Sequence, residues 1–252
     1  MAAQPPPAAH PAPRRGPPLH VALLLTSFRA GGAERVMLDL AGEFASRGLA
    51  VDLVIIDRDG PLGGALPPGI RTVDLGAGRV LRAAVPLVRY LRRSRPDVLL
   101  STQSHANLLA LAARRAGRVH TRVVLRETTT RFRRYTDAGW KRIRRRLMVA
   151  AIRRLYREGD ALVGVSEGVT SNLVENLPAL PGIVRTIYNP VVTSDMLARA
   201  REDPGHPWTS PGAPPLILAA GRLVEAKDYP TLLRAFAVVR TMRSANLLIL
   251  GE

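Results

Sequence analysis

The sequence contains no cysteine. That excludes a disulfide framework, Cys-ligated zinc, iron–sulfur clusters and a thiol nucleophile, and it fits a reducing compartment. Lysine is almost absent: of 37 basic residues, all but Lys141 and Lys227 are arginine. Aromatic residues make up only 4% of the chain. No apolar run approaches the ~20 residues that a membrane-spanning helix needs. Arg14-Arg15 precedes a short apolar run, Val21 to Leu25. That run is too brief for an export signal and leads directly into a structured pattern.

What the chain does hold is apolar bulk and localised charge. Hydrophobic residues are 46% of 252, enough for a sizeable core and too many for a disordered chain. The length lies between one typical domain and two full α/β domains. The formal net charge of +17 is unevenly spread. Residues 79–157 hold 22 basic residues against three acids (Asp97, Glu127 and Asp137), while the remainder is close to neutral. Residues 1–18, rich in Pro and Ala, are expected to form a flexible extension.

From Leu19 onward, apolar runs of strand length alternate with helical periodicity. Strands are predicted at Leu19–Thr26, Val51–Ile56, Ile70–Leu75, Val98–Thr102, Thr121–Leu125, Ala161–Val165 and Ile183–Tyr188. Helices are predicted at Ala33–Arg47, Val80–Arg93, Ala106–Arg115, Trp140–Tyr156 and Val169–Asn176. This repetition argues for an α/β fold with a doubly wound parallel sheet over residues 19–190. Residues 191–214, carrying Pro204, Pro207, Pro211 and Pro214, read as a linker with one short helix near Ser194–Arg201. Over 215–252 a new βαβ unit follows: strand Leu216–Ala220, helix Tyr229–Arg240, strand Asn246–Leu250. One such unit buries little by itself, so a second domain cut short is the expectation.

Two strand-to-helix turns carry candidate chemistry. In Ser27-Phe28-Arg29-Ala30-Gly31-Gly32-Ala33-Glu34, adjacent glycines let backbone approach a ligand, and the helix amino terminus offers unpaired N–H groups to an anion. The spacing is not G-x-G-x-x-G, so a nicotinamide dinucleotide fingerprint is absent. A tight β-to-α turn explains Gly31 and Gly32 equally well. In Gly221-Arg222-Leu223-Val224-Glu225-Ala226-Lys227-Asp228, Arg222 offers a bidentate fork and Lys227 a point charge to phosphate oxygens. Both follow the carboxyl end of a strand, where open α/β sheets place ligands; ordinary solvated loop charge is the alternative.

These segments, together with Val165-Ser166-Glu167-Gly168-Val169, Tyr188-Asn189-Pro190-Val191, Lys227-Asp228-Tyr229 and Leu248-Ile249-Leu250-Gly251-Glu252, resemble the retaining GT-B glycosyltransferases of family four, in order and spacing, from about residue 20 to 252. The resemblance implies two Rossmann-like domains facing a cleft, the acceptor on the first and a nucleotide-sugar donor mainly on the second. It implies a glycosyltransferase of hexosyltransferase type that moves a sugar to a hydroxyl of a glycan or lipid-linked acceptor. Arg222 and Lys227 would hold the donor diphosphate, with no metal and no further cofactor. Gly31 and Gly32 would line the cleft, and Gly251 would begin the loop under the nucleotide.

Two departures matter. The family's carboxylate pair is expected beyond residue 252, so the chain as it stands is expected to bind donor poorly. Where many relatives carry a histidine after the fifth strand, this chain reads Arg126-Glu127-Thr128. His105, following the fourth strand, is the alternative catalytic candidate; the plainer reading is a helix-start histidine beside Ser104 as N-cap. Glu127, an acid in a basic stretch, would orient an acceptor hydroxyl or pair with a neighbouring arginine.

Asp57-Arg58-Asp59 is a literal D-x-D, the chelating pattern of metal-dependent transferases. A polar loop after the second strand is the preferred reading. In the basic helix, Trp140, Ile143, Leu147, Ala151 and Leu155 share one face, opposite Arg142, Arg145, Arg146, Arg153 and Arg157. Residues 131–157 are thereby expected to meet an anionic membrane surface or an anionic acceptor, with an ordinary solvated face as the alternative. Aromatic interleaving is thin and no nucleic-acid module is recognisable, which argues against nucleic acid. The expected setting is cytoplasmic, peripheral on the inner face of the membrane. A non-catalytic basic α/β module binding membrane or polyanion is the alternative.

Overall fold

The computed structural model describes residues 17–29, 31–64, 66–129, 139–177, 182–192 and 194–251. The expected extension lies outside the described residues up to residue 16, as do the side chains of Trp140, Arg142 and Arg145. The chain forms two compact units, Met1–Val191 and Val192–Glu252.

The first unit is a seven-stranded sheet whose neighbouring strands all run parallel. Its strands are β1 (His20–Ser27), β2 (Ala50–Asp57), β3 (Ile70–Asp74), β4 (Val98–Thr102), β5 (Arg122–Glu127), β6 (Ala161–Gly164) and β7 (Val184–Thr186). Across the sheet they lie in the order β3-β2-β1-β4-β5-β6-β7. The helices are α1 (Gly32–Ser46), α2 (Ala84–Ser94), α3 (Ser104–Gly117), α4 (Gly139–Leu155) and α5 (Glu167–Asn176).

β1 shows why this is a two-faced sheet. Its side chains alternate: Val21, Leu23 and Leu25 pack with Met37, Leu38 and Ala41 of α1. Ala22 and Leu24 face the other way, into a core with Leu87 and Leu91 of α2 and Ala106 and Ala110 of α3. A strand buried on both faces must read as a continuous apolar run, as this one does. Leu23 and Leu24 are fully buried, so truncating either to alanine costs about 2–5 kcal/mol.

Three local differences from the sequence reading have physical causes. The predicted helix from Val80 is a 3₁₀ turn at Val80–Ala83 followed by α2. Pro86 has no N–H to give the Arg82 carbonyl, so an α-helix cannot run through that point, whereas Pro86 is tolerated in the first turn of α2. β5 runs two residues beyond Leu125, which places Arg126 and Glu127 inside the strand. In α4, Ile152 and Tyr156 are buried, but Ile143 and Leu147 are 48% and 64% exposed. The apolar face expected through Ile143 and Leu147 is therefore not buried; the core-facing stripe is Met148, Ile152, Leu155 and Tyr156. These residues recur at helical spacing and seat only the second half of the helix.

The second unit holds α6 (Ser194–Arg199), β8 (Leu216–Ala220), α7 (Tyr229–Met242) and β9 (Asn246–Leu250). β8 and β9 pair in parallel, Leu216 against Asn246 through Ala220 against Leu250. α7 begins with Asp228 as N-cap, its carboxylate accepting from Thr231 N, and with Pro230 in the first turn. Leu218, Leu233 and Val238 are more than half exposed.

Candidate active site

In the strand order β3-β2-β1-β4-β5, the chain leaves β1 toward one side of the sheet and β4 toward the other. The crevice above the carboxyl ends of β1 and β4 is thus the topological switch point, where open α/β sheets bind ligands. Gly31 and Gly32 stand at its first wall. Gly31 is the N-cap of α1, and a Cβ there would overlap Glu34 Oε2. Nothing lies within 4 Å of a Cβ built on Gly32. The two glycines therefore differ: Gly31 makes room for Glu34 folded back over the turn, and Gly32 leaves space open beside the helix amino terminus.

The second wall is the turn from β4 into α3. Its N-cap, Gln103, has φ 74° and ψ 137°, a left-handed conformation rare for a residue with a side chain. That conformation accompanies a reach across the crevice, where Gln103 Nε2 donates to Glu34 Oε1 at 2.9 Å. Ser104 is not the N-cap expected of it. It is the first helical residue, buried, and its Oγ donates to Glu127 Oε2 at 3.2 Å. His105 follows it on α3 and is half-buried.

Arg126 and Glu127, adjacent in β5, go to opposite faces of the sheet because side chains alternate along a strand. Glu127 is 2% exposed and turns beneath α3. Its carboxylate accepts from Ser104 Oγ, from Asn107 Nδ2 at 3.1 Å and from Tyr156 Oη. Burial, with the Glu127 carboxylate beside it, pushes the Tyr156 hydroxyl well above its ordinary range and keeps it a donor. Arg126 turns to the side of Glu34. It is 4% exposed, with Nη1 donating to Thr102 Oγ1 at 2.9 Å and Nη2 to Asn189 Oδ1 at 2.6 Å. Burial lowers its pKa and the charge of Glu34 works against that, so the guanidinium stays charged.

Sequence reasoning named Glu127 and passed over Glu34, Gln103, Arg126 and Asn189. For Arg126 a signal existed: it keeps the two-residue phase of Val124, opposite to core-facing Val123 and Leu125. For Gln103 none did, because its strained backbone is set by its surroundings.

The second unit presents its own strand-end locus. Gly221 N donates to Leu250 O at 2.8 Å, and Tyr229 Oη to Gly221 O at 2.7 Å. Gly221 has φ 152°, and a Cβ on it would sit 3.3 Å from Lys227 Cε and 3.3 Å from Tyr229 Oη. A Cβ on Gly251 would overlap the Gly221 carbonyl oxygen. The structure thus brings Gly221, Lys227 and Gly251 together at the carboxyl ends of β8 and β9, with Arg222 next along the chain. Arg222 and Lys227 are exposed, and neither is ion-paired among the described residues. Lys227 closes a 3₁₀ turn, Glu225–Lys227, that precedes α7.

The Asp57-Arg58-Asp59 segment is a local turn. Asp57 Oδ1 accepts from Asp59 N at 3.2 Å, and Arg58 pairs with Asp74 at 3.6 Å. No cluster of three or more His, Asp or Glu residues suited to a metal ion occurs among the described residues.

Comparison with known proteins agrees with this arrangement. A curated relative, the N-acetylgalactosamine-N,N'-diacetylbacillosaminyl-diphospho-undecaprenol 4-alpha-N-acetylgalactosaminyltransferase of Campylobacter jejuni, is 30% identical over 146 residues. That match covers 58% of this chain and 37% of the relative's length. Among solved structures, sucrose-phosphate synthase from Thermosynechococcus elongatus superposes with a TM-score of 0.68 at 16% identity, over 92% of this chain and 62% of the other. A glycosyltransferase from Rickettsia africae gives 0.61 at 16% identity, over 93% and 61%. HepE of Anabaena, bound to UDP and glucose, gives 0.56 at 13% identity, over 93% and 70%. At such identities these likenesses concern the fold alone. The model of Glycosyltransferase Family 4 matches residues 30–195, from the Gly31-Gly32 turn through the Asn189-Pro190 segment, and the chain belongs to that family.

Proposed function

We propose that this chain serves glycosyl transfer: a sugar leaves a nucleotide donor held by the second unit and joins a hydroxyl of a glycan or lipid-linked acceptor held by the first. The observation that carries the reading is the strand-end locus where Gly221, Lys227 and Gly251 meet, with Arg222 and Lys227 exposed and without an ion pair among the described residues. A departing nucleoside diphosphate develops negative charge on its phosphate oxygens. Arg222 can bind two of those oxygens at once, and Lys227 adds a mobile ammonium, so leaving-group charge is stabilised by side chains already in place. Gly221 and Gly251 let the two strand ends pack closely and keep Lys227 beside them. Retention of anomeric configuration is part of this proposal and rests on the family resemblance.

In the first unit, the Glu34–Gln103 bridge and Arg126 offer a carboxylate, an amide and a buried cation at the switch-point crevice, groups suited to an acceptor's hydroxyls and to any phosphate it carries. The Campylobacter relative's name specifies a diphospho-undecaprenol acceptor. A lipid-linked diphosphate is the acceptor class we assign here. Glu127 acts through Ser104 and Asn107, fixing the start of α3 and hence His105.

The outward face of α4 supports a place at an anionic membrane surface on its cytoplasmic side. Ile143, Leu147 and Ala150 are exposed in one stripe with Arg146, Arg153, Arg154 and Arg157, the mixture of apolar and cationic groups that lies in a lipid interface. No helix among the described residues is long and apolar enough to cross a membrane.

The test is UDP release from UDP-N-acetylgalactosamine and UDP-glucose with a polyprenyl-diphosphate-linked acceptor. Replacing Arg222 and Lys227 together by alanine should lower kcat by about a hundredfold or more. Unchanged turnover would sink the assignment. Salt-dependent vesicle binding without any sugar transfer would favour the alternative, a non-catalytic basic module.

A further inference from the structure

At the opposite end of the first unit's strands, where β4 and β5 begin and α2 and α3 end, lies an open groove of about 890 Å³. Leu19, Val98 and Val119 supply apolar lining, and Arg92, Arg95, Arg118 and Arg122 are among its walls, with His120 beside them. One acid, Asp97, also lines it, and its Oδ2 already accepts from His20 N at 2.8 Å. The nearby acids are engaged too: Asp160 pairs with Arg114 at 2.7 Å and Glu158 with Arg115 at 2.8 Å. Four arginines against the single carboxylate of Asp97 leave the lining of the groove net positive.

Helix ends explain only part of it. The carboxyl ends of α2 and α3 carry partial negative charge, which attracts cations. Arg92 meets that need directly, donating from Nε to Gly117 O at 3.1 Å and from Nη2 to Ala116 O at 3.2 Å. Arg95, Arg118 and Arg122 are exposed, and their side chains have no hydrogen-bond or ion-pair partner among the described residues. Arg95 (φ 44°) and Arg118 (φ 50°) occupy left-handed C-cap positions that favour glycine. The chain thus holds two arginines in costly backbone positions, and both flank one concavity.

We propose that this groove is a further phosphate-binding site, separate from both strand-end loci above. Its ligand is a phosphomonoester or diphosphate attached to a small apolar or ring-bearing group. Three guanidinium groups from three segments (the α2 cap, the α3 cap and the start of β5) can each present paired N–H donors to phosphate oxygens. The concave shape and the apolar lining suit an anion with a compact body attached. A soluble phosphorylated molecule and a lipid headgroup share this chemistry.

The experiment uses inorganic pyrophosphate as the probe, with titration calorimetry on the whole chain carrying Arg222→Ala and Lys227→Ala, so that the proposed donor locus is silent. Pyrophosphate should still bind. Adding Arg95→Gln, Arg118→Gln and Arg122→Gln should weaken it by about tenfold or more. A control removing the same number of exposed charges elsewhere (Arg79→Gln, Arg82→Gln and Arg89→Gln) should change it less than about twofold. Arg122→Gln alone, which leaves both helix caps intact, should show a smaller loss in the same direction if the triple variant misfolds.

Phosphatidylglycerol vesicles form the second arm. If the groove variant loses vesicles as well as pyrophosphate while the control keeps both, the phosphate belongs to a lipid headgroup; if it loses pyrophosphate alone, the ligand is soluble. Equal losses in groove and control variants, or no binding of either probe, would overturn the proposal.

Discussion

Gln103 bridges the crevice by donating to the carboxylate of Glu34, joining the turn after β4 to the first turn of α1 across 69 residues of sequence. Gly31 permits that bridge because Glu34 Oε2 takes the volume its Cβ would occupy. Gly31→Ala should therefore act through Glu34. The far end of a flexible side chain can swing aside, so the backbone should hold, and the loss should be about 0.5–1.5 kcal/mol, the worth of one hydrogen bond. Glu34→Ala should cost the same, and the double variant no more than either alone, as a double-mutant cycle in urea will show. Full additivity would mean that Gly31 serves some other purpose.

Gly251 and Gly32 should rank sharply. A Cβ at Gly251 meets a backbone oxygen, which cannot move without parting β8 from β9. Gly251→Ala should destabilise the second unit and, on the proposed function, weaken binding of the donor nucleotide, for which UDP is the probe. Gly32→Ala meets nothing and opens α1 with a better helix former, so it should be neutral or stabilising by up to about 1 kcal/mol. Thermal denaturation of the pair, with UDP titrations, checks the order.

Tyr156→Phe should expose the cost of an incomplete buried network. The phenol meets both Glu127 and Asn107 inside the core, and removing it takes one donor from a buried carboxylate. A loss of about 1–3 kcal/mol follows. Glu127→Gln added to it should cost less than the sum of the two, because both changes break the same contact.

Acid sensitivity should trace in part to Asp52. This carboxylate is 3% exposed, and burial by itself would raise its pKa. Hydrogen bonds from Arg71 Nε at 2.7 Å, Tyr90 Oη at 2.6 Å and His20 Nε2 at 2.9 Å outweigh that, holding it below the ordinary value of 3.8. A carboxyl whose folded pKa is depressed adds stability above its unfolded pKa, and that stability is lost as pH falls through the folded value. The gap between wild type and Asp52→Asn, roughly 1–3 kcal/mol at neutral pH, should hold down to about pH 4 and shrink below it. A gap of constant size down to pH 2 would count against this linkage.

Much of the frame was legible because its causes are local. Continuous apolar runs marked β1 and β2, and helical spacing with Gly48 as a stop marked α1. Where the reading slipped, long-range packing had overruled local pattern. Ile143 and Leu147 share a wheel face with Leu155, yet the sheet offers them no surface, so they stand in solvent. Ser104 has the chemistry of an N-cap, but a buried Glu127 takes its hydroxyl instead.

The sequence by itself determined that strands and helices alternate, that glycine and cation stand at strand ends, and that positive charge gathers over residues 79–157. Each of these follows from the order of neighbours along the chain. Only the tertiary structure decided that Arg126 turns to the side of Glu34 while Glu127 turns under α3, that Gln103 meets Glu34, and that arginines from the ends of α2 and α3 share one groove. Those contacts join residues far apart in the chain. Their partners are set by strand order and register, which depend on how the whole sheet buries its apolar faces and not on the propensity of any one segment.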